Sequence, residues 1–348
     1  MQITTIASPA HEHVIRVADA GAGLIGFIAI HSTQLGPAAG GLRMRRYESE
    51  DAALNDVLRL SHGMTFKNAA AGLPLGGGKA VIIGDPARKT PAMLTGFARA
   101  IDMLKGRYWT AEDMGMTPED MAVLATITPY VAGLPDGEFA SGDPSPITAQ
   151  GIFNAIRCTA RHRFGTADLT GCRVALQGLG HVGWHLAGLL RGAGATLVVA
   201  DIDAGRAAEA GQRFGAEIVP VGEILAARAD ILAPCAIGGI LNAETIAALN
   251  VRAIAGGANN QLATPADGDR LHARGILYAP DYVANAGGII NVATEILRIS
   301  DRPAFVARKL AQAEATLDAI LTGAATRGVA PHRVADQTVL EQMRARAA

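Results

Sequence analysis

The chain has 348 residues, of which 49% are apolar, and its 31 basic and 32 acidic side chains leave a net charge of −1. This length predicts about two domains, each large enough to bury a core of its own. The balanced charge argues against a nucleic-acid-binding surface, and the absence of any apolar run of roughly 18 residues argues against a membrane helix.

The first third of the chain mixes strand and helix patterns. The expected elements, in chain order, are strands at 14–19, 24–31 and 41–47, a helix at 49–64 with Ser49 as its N-cap, a buried strand at 79–83, and a helix at 91–104. The segment 41–47 alternates apolar and basic residues, which is typical of a half-buried strand.

A stretch rich in Gly, Pro and Ser at 134–150 predicts a linker. Ser145 and Pro146 then form the expected start of a helix that runs to about His162. Strand patterns alternate with helix patterns beyond that point, which predicts a parallel sheet built from βαβ units. A long Ala-rich helix is expected at 303–327, followed by a short tail.

The cysteines at 158, 172 and 235 form no CxxC pair, which excludes a zinc ribbon and a disulfide scaffold and fits a reducing compartment. No cluster with metal-ligand spacing is visible, so we expect no metal. The N-terminal residues lack the basic and apolar regions of a signal peptide, so we expect a cytoplasmic location.

Residues 178–183, GLGHVG, match the G-x-G-x-x-G fingerprint between a strand pattern and a helix pattern. Gly178 allows the tight turn, Gly180 lets the backbone approach a pyrophosphate, and Gly183 lets the helix pack on the strand. The next strand ends at Asp201, 23 residues after Gly178. A carboxylate there would accept hydrogen bonds from ribose hydroxyls and repel a 2′-phosphate, which favours NAD over NADP.

Two lysines flank a glycine-rich apolar stretch. Lys79 begins a buried strand after three glycines, and Lys67 lies twelve residues upstream. The stretch is not a nucleotide-binding P-loop, because Leu73 and Ala80 replace the required Gly and Ser or Thr. A desolvated lysine beside another cation loses its proton more readily, so Lys79 is a candidate general base. Asp113 follows a short strand-like segment, where helix capping explains it as well as catalysis does.

Seven motifs taken together resemble one known family, over about residues 10 to 330. They are GPAAGGLRM (36–44), MTFKNAAAGLPLGGGKAVIIGDP (64–86), TAEDMGM (110–116), DPSPITAQG (143–151), APCAIGG (233–239), GGANNQL (256–262) and APDYVANAGGIIN (279–291). They are similar to motifs of the Glu/Leu/Phe/Val dehydrogenases, and most similar to those of the leucine enzymes. The resemblance implies reversible oxidative deamination of an L-amino acid with NAD, giving a 2-oxo acid and ammonia, in a homo-oligomer.

The resemblance also implies residue roles. Lys67 would bind the substrate carboxylate, Lys79 would be the catalytic base, and Asp113 would handle protons on the amino group. The implied substrate-binding set is Lys67, Gly40, Gly41, Met64, Asn260, Ala39, Ala111, Ile289 and Val292. The implied cofactor-binding set, with the glycine loop, is Gly178, Leu179, Gly180, His181, Val182, Gly183, Asp201, Thr148, Cys235, Ala236, Asn259 and Asn285.

The substrate side chain is expected to be apolar. Glutamate-specific relatives carry a lysine where this chain has Ala39 and a hydroxyl where it has Val292. Without those anchors a second carboxylate would be buried unpaired, at a cost on the order of several kcal/mol. Leucine enzymes carry Leu at the Ala39 position, so the pocket of this chain is expected to be longer, and an aromatic substrate such as phenylalanine is a second possibility. The bulky Ile289 has the opposite effect and favours a branched aliphatic substrate.

These observations predict an α/β protein of two domains with the active site in the cleft between them. A catalytic and oligomerisation domain with an open sheet would span 1–141, with 328–348 packing back on it, and a Rossmann NAD-binding domain would span 142–327. The alternatives from other classes are a non-catalytic NAD-binding sensor, which has no use for Lys67, Lys79 and Asp113, and a hydroxy-acid dehydrogenase, which needs a His–Arg pair. We therefore expect a small-molecule enzyme without nucleic-acid or membrane partners.

Overall fold

The computed structural model describes residues 1–347. Its strands are β1 (Gln2–Thr5), β2 (His13–Asp19), β3 (Leu24–Ser32), β4 (Ala38–Ala39), β5 (Leu42–Arg45), β6 (Gly76–Ile83), β7 (Tyr108–Trp109), β8 (Arg173–Gln177), β9 (Thr196–Ala200), β10 (Glu217–Ile218), β11 (Ile231–Pro234), β12 (Ala253–Ile254) and β13 (Leu277–Tyr278). Its α-helices are α1 (Glu50–Ala70), α2 (Pro91–Met103), α3 (Pro118–Ala125), α4 (Ser145–Phe164), α5 (His181–Gly192), α6 (Ala204–Phe214), α7 (Ala243–Ala248), α8 (Pro265–Ala273), α9 (Asp281–Ala284), α10 (Gly287–Ile296), α11 (Arg302–Arg327) and α12 (Pro331–Ala347).

Among the described residues, no helix combines the length and the apolar character that crossing a membrane requires.

The chain divides into two compact units. The first comprises Met1–Pro144, Ile289–Val306 and the chain from Gln342 onward, and the second comprises Ser145–Gly288 and Ala307–Glu341. The predicted two-domain α/β architecture is confirmed, and the change of unit at Ser145 falls inside the predicted linker.

The first unit is built on a mixed sheet with the strand order β1-β2-β3-β6-β4-β7. Strands β4 and β5 both run parallel to β6. Strand β4 pairs with Gly76 and Gly77, and β5 pairs with residues 80–83. The chain therefore passes from β4 to β5 through Gly40 and Gly41, next to Lys79.

The two faces of this sheet carry separate apolar cores, because successive side chains of a strand point to opposite faces. Phe27, Ala29 and Val81 pack with Val57 of α1, whereas the intervening residues pack with the side of the sheet that α2 and α3 cover. Lys79 lies two residues before Val81, so its side chain points to the α1 face.

Helix α1 begins and packs as its sequence dictates. The hydroxyl of Ser49 accepts a hydrogen bond from the N–H of Ala52, which confirms the predicted N-cap. The helix does not end near residue 64 as expected but continues to Ala70. The extra turns are held on the sheet by Asn68, whose Nδ2 donates to the carbonyl of Gly76 at 2.6 Å.

The second unit contains a sheet with the order β10-β9-β8-β11-β12-β13, in which every neighbouring pair is parallel. The predicted alternation of strands and helices is therefore confirmed. The chain moves outward from β8 through β9 to β10 and then returns to β11 on the other side of β8. Ligands of such sheets bind at the carboxyl ends of the strands that flank this switch point.

The division of the C-terminal part differs from the predicted one. Residues 289–306 belong to the first unit, because buried Glu295 accepts hydrogen bonds from the N–H groups of Gly133 and Ser141, and Arg302 donates to the carbonyl of Ser141. Residues 328–341 belong to the second unit, where Arg333 of α12 forms a two-bond ion pair with Asp269 of α8. This ion pair and these hydrogen bonds join residues far apart in sequence, which local patterns do not reveal.

Candidate functional site

In the first unit, Lys79 and Asp113 form a buried ion pair. Lys79 is 6% exposed, and its Nζ donates a hydrogen bond to Oδ2 of Asp113. The other carboxylate oxygen, Oδ1, accepts from the backbone N–H of Met114. The structure thus brings together the predicted base and its predicted proton-handling partner, and Asp113 caps no helix there.

Sequence reasoning missed Arg43, the second cation at this carboxylate. Its Nη2 lies 3.5 Å from Oδ1 of Asp113, and its Nη1 lies 3.1 Å from Oδ2 of Asp56 on α1. The alternating pattern of 41–47 predicted a basic side chain facing solvent, but Arg43 is buried. It pairs in register with Val81 and so shares the α1 face with Lys79. That register depends on the pairing of strands that are distant in sequence, so the local sequence pattern of 41–47 does not reveal it.

The electrostatics of the pair follow from burial and these charges. Burial lowers the pKa of Lys79, the charge of Arg43 lowers it further, and Asp113 opposes both. Burial alone would raise the pKa of Asp113, but the charges of Lys79 and Arg43 hold it well below its usual range. Arg43 is therefore a cation that assists deprotonation, and sequence reasoning did not identify it.

Gly40 and Gly41 are required by packing around the pair. A Cβ on Gly40 would collide with the carbonyl oxygen of Gly78, and a Cβ on Gly41 would lie 2.8 Å from the Cβ of Asp113. Glycine at both positions lets β4 and β5 approach Lys79 and Asp113 closely.

Lys67 lies in the last turn of α1 and is partly buried. Met64 lies one turn earlier on the same side of the helix, and its Cγ faces Gly40, 3.1 Å from where a Cβ would stand. This side of α1 therefore faces the interruption between β4 and β5. Their roles in binding the substrate carboxylate and side chain stay predictions.

The other predicted side-chain contacts all belong to the first unit and are apolar and buried: Ala39, Ala111, Ile289 and Val292. Ala39 is fully buried, so its Cβ offers no open surface. Ile289 and Val292 lie one turn apart on α10. Glu295, one turn further on, fixes this helix through the N–H of Gly133 at 2.7 Å and the hydroxyl of Ser141 at 2.9 Å. Sequence reasoning missed Glu295.

In the second unit the glycine loop follows β8 and opens α5. Gly178 has φ +93° and lies against Ala236, which follows β11. A Cβ on Gly183 would collide with the carbonyl oxygen of Gly178, so glycine at this position lets α5 pack closely on the residue that follows β8. Leu179 is buried and Val182 partly buried, whereas His181 is exposed at the first position of α5.

Gly180 provides the test of whether a dinucleotide fits here. A Cβ on Gly180 would meet no protein atom within 4 Å, so protein packing does not require glycine at this position. Gly180 is the N-cap of α5, and it provides no side-chain hydrogen bond to the first turn. The first N–H groups of the helix are thus available to an anion, and a close backbone approach is what a pyrophosphate needs. These residues fit a dinucleotide.

Asp201 follows β9, beside the glycine loop. Its Oδ2 accepts from the N–H of Leu179 at 2.5 Å, and its Oδ1 accepts from the N–H of Asp203 at 2.8 Å. Each carboxylate oxygen keeps a further lone pair for a ribose hydroxyl. Asp201 therefore ties down the loop, and its contact with a ribose stays a prediction.

Three asparagines gather near the carboxyl ends of β12 and β13. Asn285 donates from Nδ2 to the carbonyl of Gly257 at 3.1 Å and to Oδ1 of Asn259 at 2.9 Å. Its own Oδ1 is buried and accepts no hydrogen bond from the described residues. Asn260 adopts φ +52°, and its carbonyl accepts from the N–H of Gly239. The unfilled acceptor of Asn285 suits an amide or amine N–H of a ligand.

Cys235 and Thr148 complete the predicted cofactor set. A Cβ on Gly257 would lie 3.4 Å from Sγ of Cys235, and burial raises the pKa of this thiol to about 12. Cys235 is thus a packed, protonated thiol. Oγ1 of Thr148 would lie 3.0 Å from a Cβ on Gly288, which places this hydroxyl where α4 meets the start of α10.

One group in the described part of the chain has metal-ligand chemistry, namely Cys158, His162 and Asp318. Oδ1 of Asp318 already accepts hydrogen bonds from Arg161 at 2.9 Å and from His162 at 2.7 Å. These contacts make the group an ion-pair network that joins α4 to α11, and we assign no ion to it.

Two family models and several known proteins match most of this chain. The family model described as Glu/Leu/Phe/Val dehydrogenase, dimerisation domain, matches residues 10–130, and the model described as Glutamate/Leucine/Phenylalanine/Valine dehydrogenase matches residues 199–346. A leucine dehydrogenase of Geobacillus stearothermophilus is 51% identical over 82% of this chain and 78% of its own length. A phenylalanine dehydrogenase of Caldalkalibacillus thermarum is 43% identical over 97% of this chain and 92% of its own.

A solved structure extends the likeness to three dimensions. The crystal structure of L-tryptophan dehydrogenase from Nostoc punctiforme matches with a TM-score of 0.82 at 40% identity, over 97% of both chains. The family models together match more than half of this chain, so the resemblance predicted from the seven motifs is confirmed. This chain therefore belongs to the Glu/Leu/Phe/Val dehydrogenase family and is an amino-acid dehydrogenase of a kind that depends on NAD(P).

Proposed function

We propose that this enzyme oxidises an apolar L-amino acid, leucine or another branched-chain one by preference, to the 2-oxo acid and ammonia with NAD. The observation that carries the proposal is the buried pair of Lys79 and Asp113, since a buried lysine with a lowered pKa is suited to act as a base. A non-catalytic NAD-binding sensor would have no use for such a pair.

The residues of this chain have distinct tasks in the proposed reaction. Lys67 pairs with the substrate carboxylate. NAD, when bound in the second unit, would supply the acceptor for the hydride of the substrate Cα, whose loss leaves a protonated imine. Neutral Lys79 takes a proton from the water that attacks the imine carbon. Lys79 then passes this proton to Asp113, its hydrogen-bond partner, and is neutral again. The resulting carbinolamine loses ammonia as Asp113 gives the proton to the amino group and Lys79 takes one from the hydroxyl. One amino acid, one NAD⁺ and one water thus give one oxo acid, ammonia, NADH and a proton.

An apolar substrate side chain is supported by the residues assigned to its pocket. Ala39, Ala111, Ile289 and Val292 carry no charge or hydroxyl that could pair with a second carboxylate. The leucine dehydrogenase relative at 51% identity supports a branched-chain substrate. Phenylalanine is the second candidate, because Ala39 is smaller than leucine and a phenylalanine dehydrogenase is 43% identical over nearly the whole chain.

NAD rather than NADP is supported by Asp201. Its carboxylate stands at the end of β9 beside the glycine loop, where a 2′-phosphate would meet a negative charge. We also propose a homo-oligomer in the cytoplasm. The description of the N-terminal family model as a dimerisation domain supports the first, and three free thiols support the second.

The proposal is tested by measuring NADH formation with each of the twenty L-amino acids, first with NAD and then with NADP. We expect the highest kcat/KM with leucine, isoleucine or valine and NAD, and low activity with glutamate. Lys79→Ala serves as the inactive control. Highest activity with glutamate, or none with any amino acid, would contradict the proposal, and light scattering at several concentrations gives the oligomeric state.

A further inference from the structure

We propose that Arg43, which lies between Asp113 and Asp56, is a positioning residue that sets which member of the Lys79–Asp113 pair carries the proton. This inference rests on the proposed role of Lys79 as the base and adds the group that poises it. Arg43 needs no contact with the substrate for this purpose, because it acts through the carboxylate of Asp113.

The geometry supports a fixed cation at this point. The side chain of Arg43 is 10% exposed, with one guanidinium nitrogen 3.5 Å from Asp113 and another 3.1 Å from Asp56. The same oxygen of Asp56 accepts a hydrogen bond from the hydroxyl of Tyr47 at 2.7 Å. Charges therefore alternate from Lys79 through Asp113 and Arg43 to Asp56, on the side of the sheet that α1 covers.

Arg43 and Asp56 carry opposite charges, so they have opposite effects on the protonation of Lys79. A positive charge at Arg43 disfavours a second positive charge on Lys79 and stabilises the Asp113 carboxylate. Asp56 partly offsets this influence, because its negative charge favours the protonated form of Lys79. An arginine suits the role since it keeps its charge at any working pH.

The other titratable groups around the pair do not replace Arg43. Tyr108 on β7 donates its hydroxyl hydrogen to the carbonyl of Gly40, and burial holds its pKa far above the working range. Burial also raises the pKa of Tyr47, whose hydrogen bond to Asp56 favours the neutral phenol. Glu112 adjoins Asp113 and has a pKa raised by burial. Lys67 on α1 is the remaining cation, and we assign it to the substrate.

The test compares the pH dependence of kcat/KM in wild type, Arg43→Gln, Arg43→Lys and Asp56→Asn. Loss of activity at low pH should report protonation of Lys79. We expect this acid limb to move to higher pH by about one unit in Arg43→Gln and to lower pH in Asp56→Asn. Arg43→Lys should restore the position of the limb at a lower kcat, because an ammonium keeps the charge without the two-sided contact.

Two further measurements separate this inference from the proposed reaction. Arg16→Gln removes an exposed ion pair with Glu50 in the same unit and should leave the profile unchanged. The titration of Lys79 is followed directly by its ¹³Cε resonance, assigned by its loss in Lys79→Ala. If no amino acid is oxidised the proposed function fails, yet this resonance still tests the role of Arg43.

The expected result is a pair of opposite shifts, seen both in the acid limb and in the Lys79 resonance. Unchanged titrations in Arg43→Gln and Asp56→Asn would overturn the inference, and so would shifts in the same direction. If Arg43→Gln fails to fold, the test rests on the other two variants: the inference requires a shift to lower pH in Asp56→Asn and an acid limb near the wild-type position in Arg43→Lys.

Discussion

Lys79 carries the chemistry of the proposed function at the scale of single residues. Its ammonium group is taken out of water on the α1 face of the sheet and is balanced by Asp113 rather than by solvent. Such a group changes protonation state at small cost when a substrate arrives, because burial and Arg43 already oppose its charge.

Lys79→Ala should remove most of kcat while leaving NAD binding nearly intact. Acid–base groups contribute about 10²–10⁴-fold to rate, and Lys79 belongs to the unit without the glycine loop. Steady-state kinetics and a fluorescence titration with NADH measure the two effects. A variant that keeps more than about a tenth of the wild-type kcat would exclude Lys79 as the base.

Asp201 should determine the cofactor preference. In Asp201→Ser combined with Ile202→Arg, the negative charge is removed and a cation is added at an adjacent side chain that is 93% exposed. We expect kcat/KM for NADP to rise relative to NAD, since a 2′-phosphate gains a partner and loses a repulsion. Ile202→Arg alone is the matched control. An NADP preference in the unmutated enzyme would refute our interpretation of Asp201.

Two glycines illustrate how the elements fit together. Gly77 on β6 lies directly under Thr65 of α1, and a Cβ there would collide with the backbone and side chain of Thr65. Gly63 lies on the same helix, and a Cβ there would meet nothing within 4 Å. The first glycine thus serves the contact between helix and sheet, whereas the second only weakens the helix.

Gly77→Ala should therefore destabilise the protein by about 1–3 kcal/mol or more, because α1 would have to move off the sheet. Gly63→Ala should be neutral or stabilise by up to about 1 kcal/mol, since alanine is the better helix former. Urea unfolding followed by circular dichroism compares the two. Equal effects of both substitutions would show that α1 does not depend on this close contact.

A histidine cluster links the protein's stability to pH at the scale of the whole molecule. The rings of His11 and His31 lie 5.1 Å apart, and those of His31 and His62 lie 4.7 Å apart. Burial, together with the charges that His62 and His11 would carry, lowers the pKa of His31 to about 4. Nδ1 of His31 lies 2.8 Å from the hydroxyl of Thr65.

His31 has a pKa of 6.5 in the unfolded chain and about 4 in the folded protein. As the pH falls from 6.5 toward about 4, the unfolded chain binds a proton that the folded protein does not, so the free energy of unfolding should decrease. Allowing for the partial exposure of the ring, we expect this residue to cost about 1 kcal/mol between pH 7 and pH 5. Urea unfolding at both values measures the loss. His31→Gln should reduce it, whereas His185→Gln, at an exposed position of α5, should not.

Local patterns in the sequence were sufficient to predict most elements, the glycine loop, and Lys79 at a buried strand. Hydrophobic periodicity, N-caps such as Ser49 and the spacing of Gly178, Gly180 and Gly183 all act within one or two elements, so one chain segment contains the whole signal. The predicted strand–helix alternation of the second unit rests on the same kind of information.

Only the tertiary structure decided which charges meet and which unit holds the C-terminal segments. Arg43 reaches Asp113 because β5 lies in a particular register against β6, and Glu295 joins the first unit by bonds to Gly133 and Ser141. These contacts connect residues that are dozens to more than a hundred positions apart. Their partners are fixed by the packing of the folded chain as a whole, and a sequence pattern with a period of two or 3.6 residues contains no information about them.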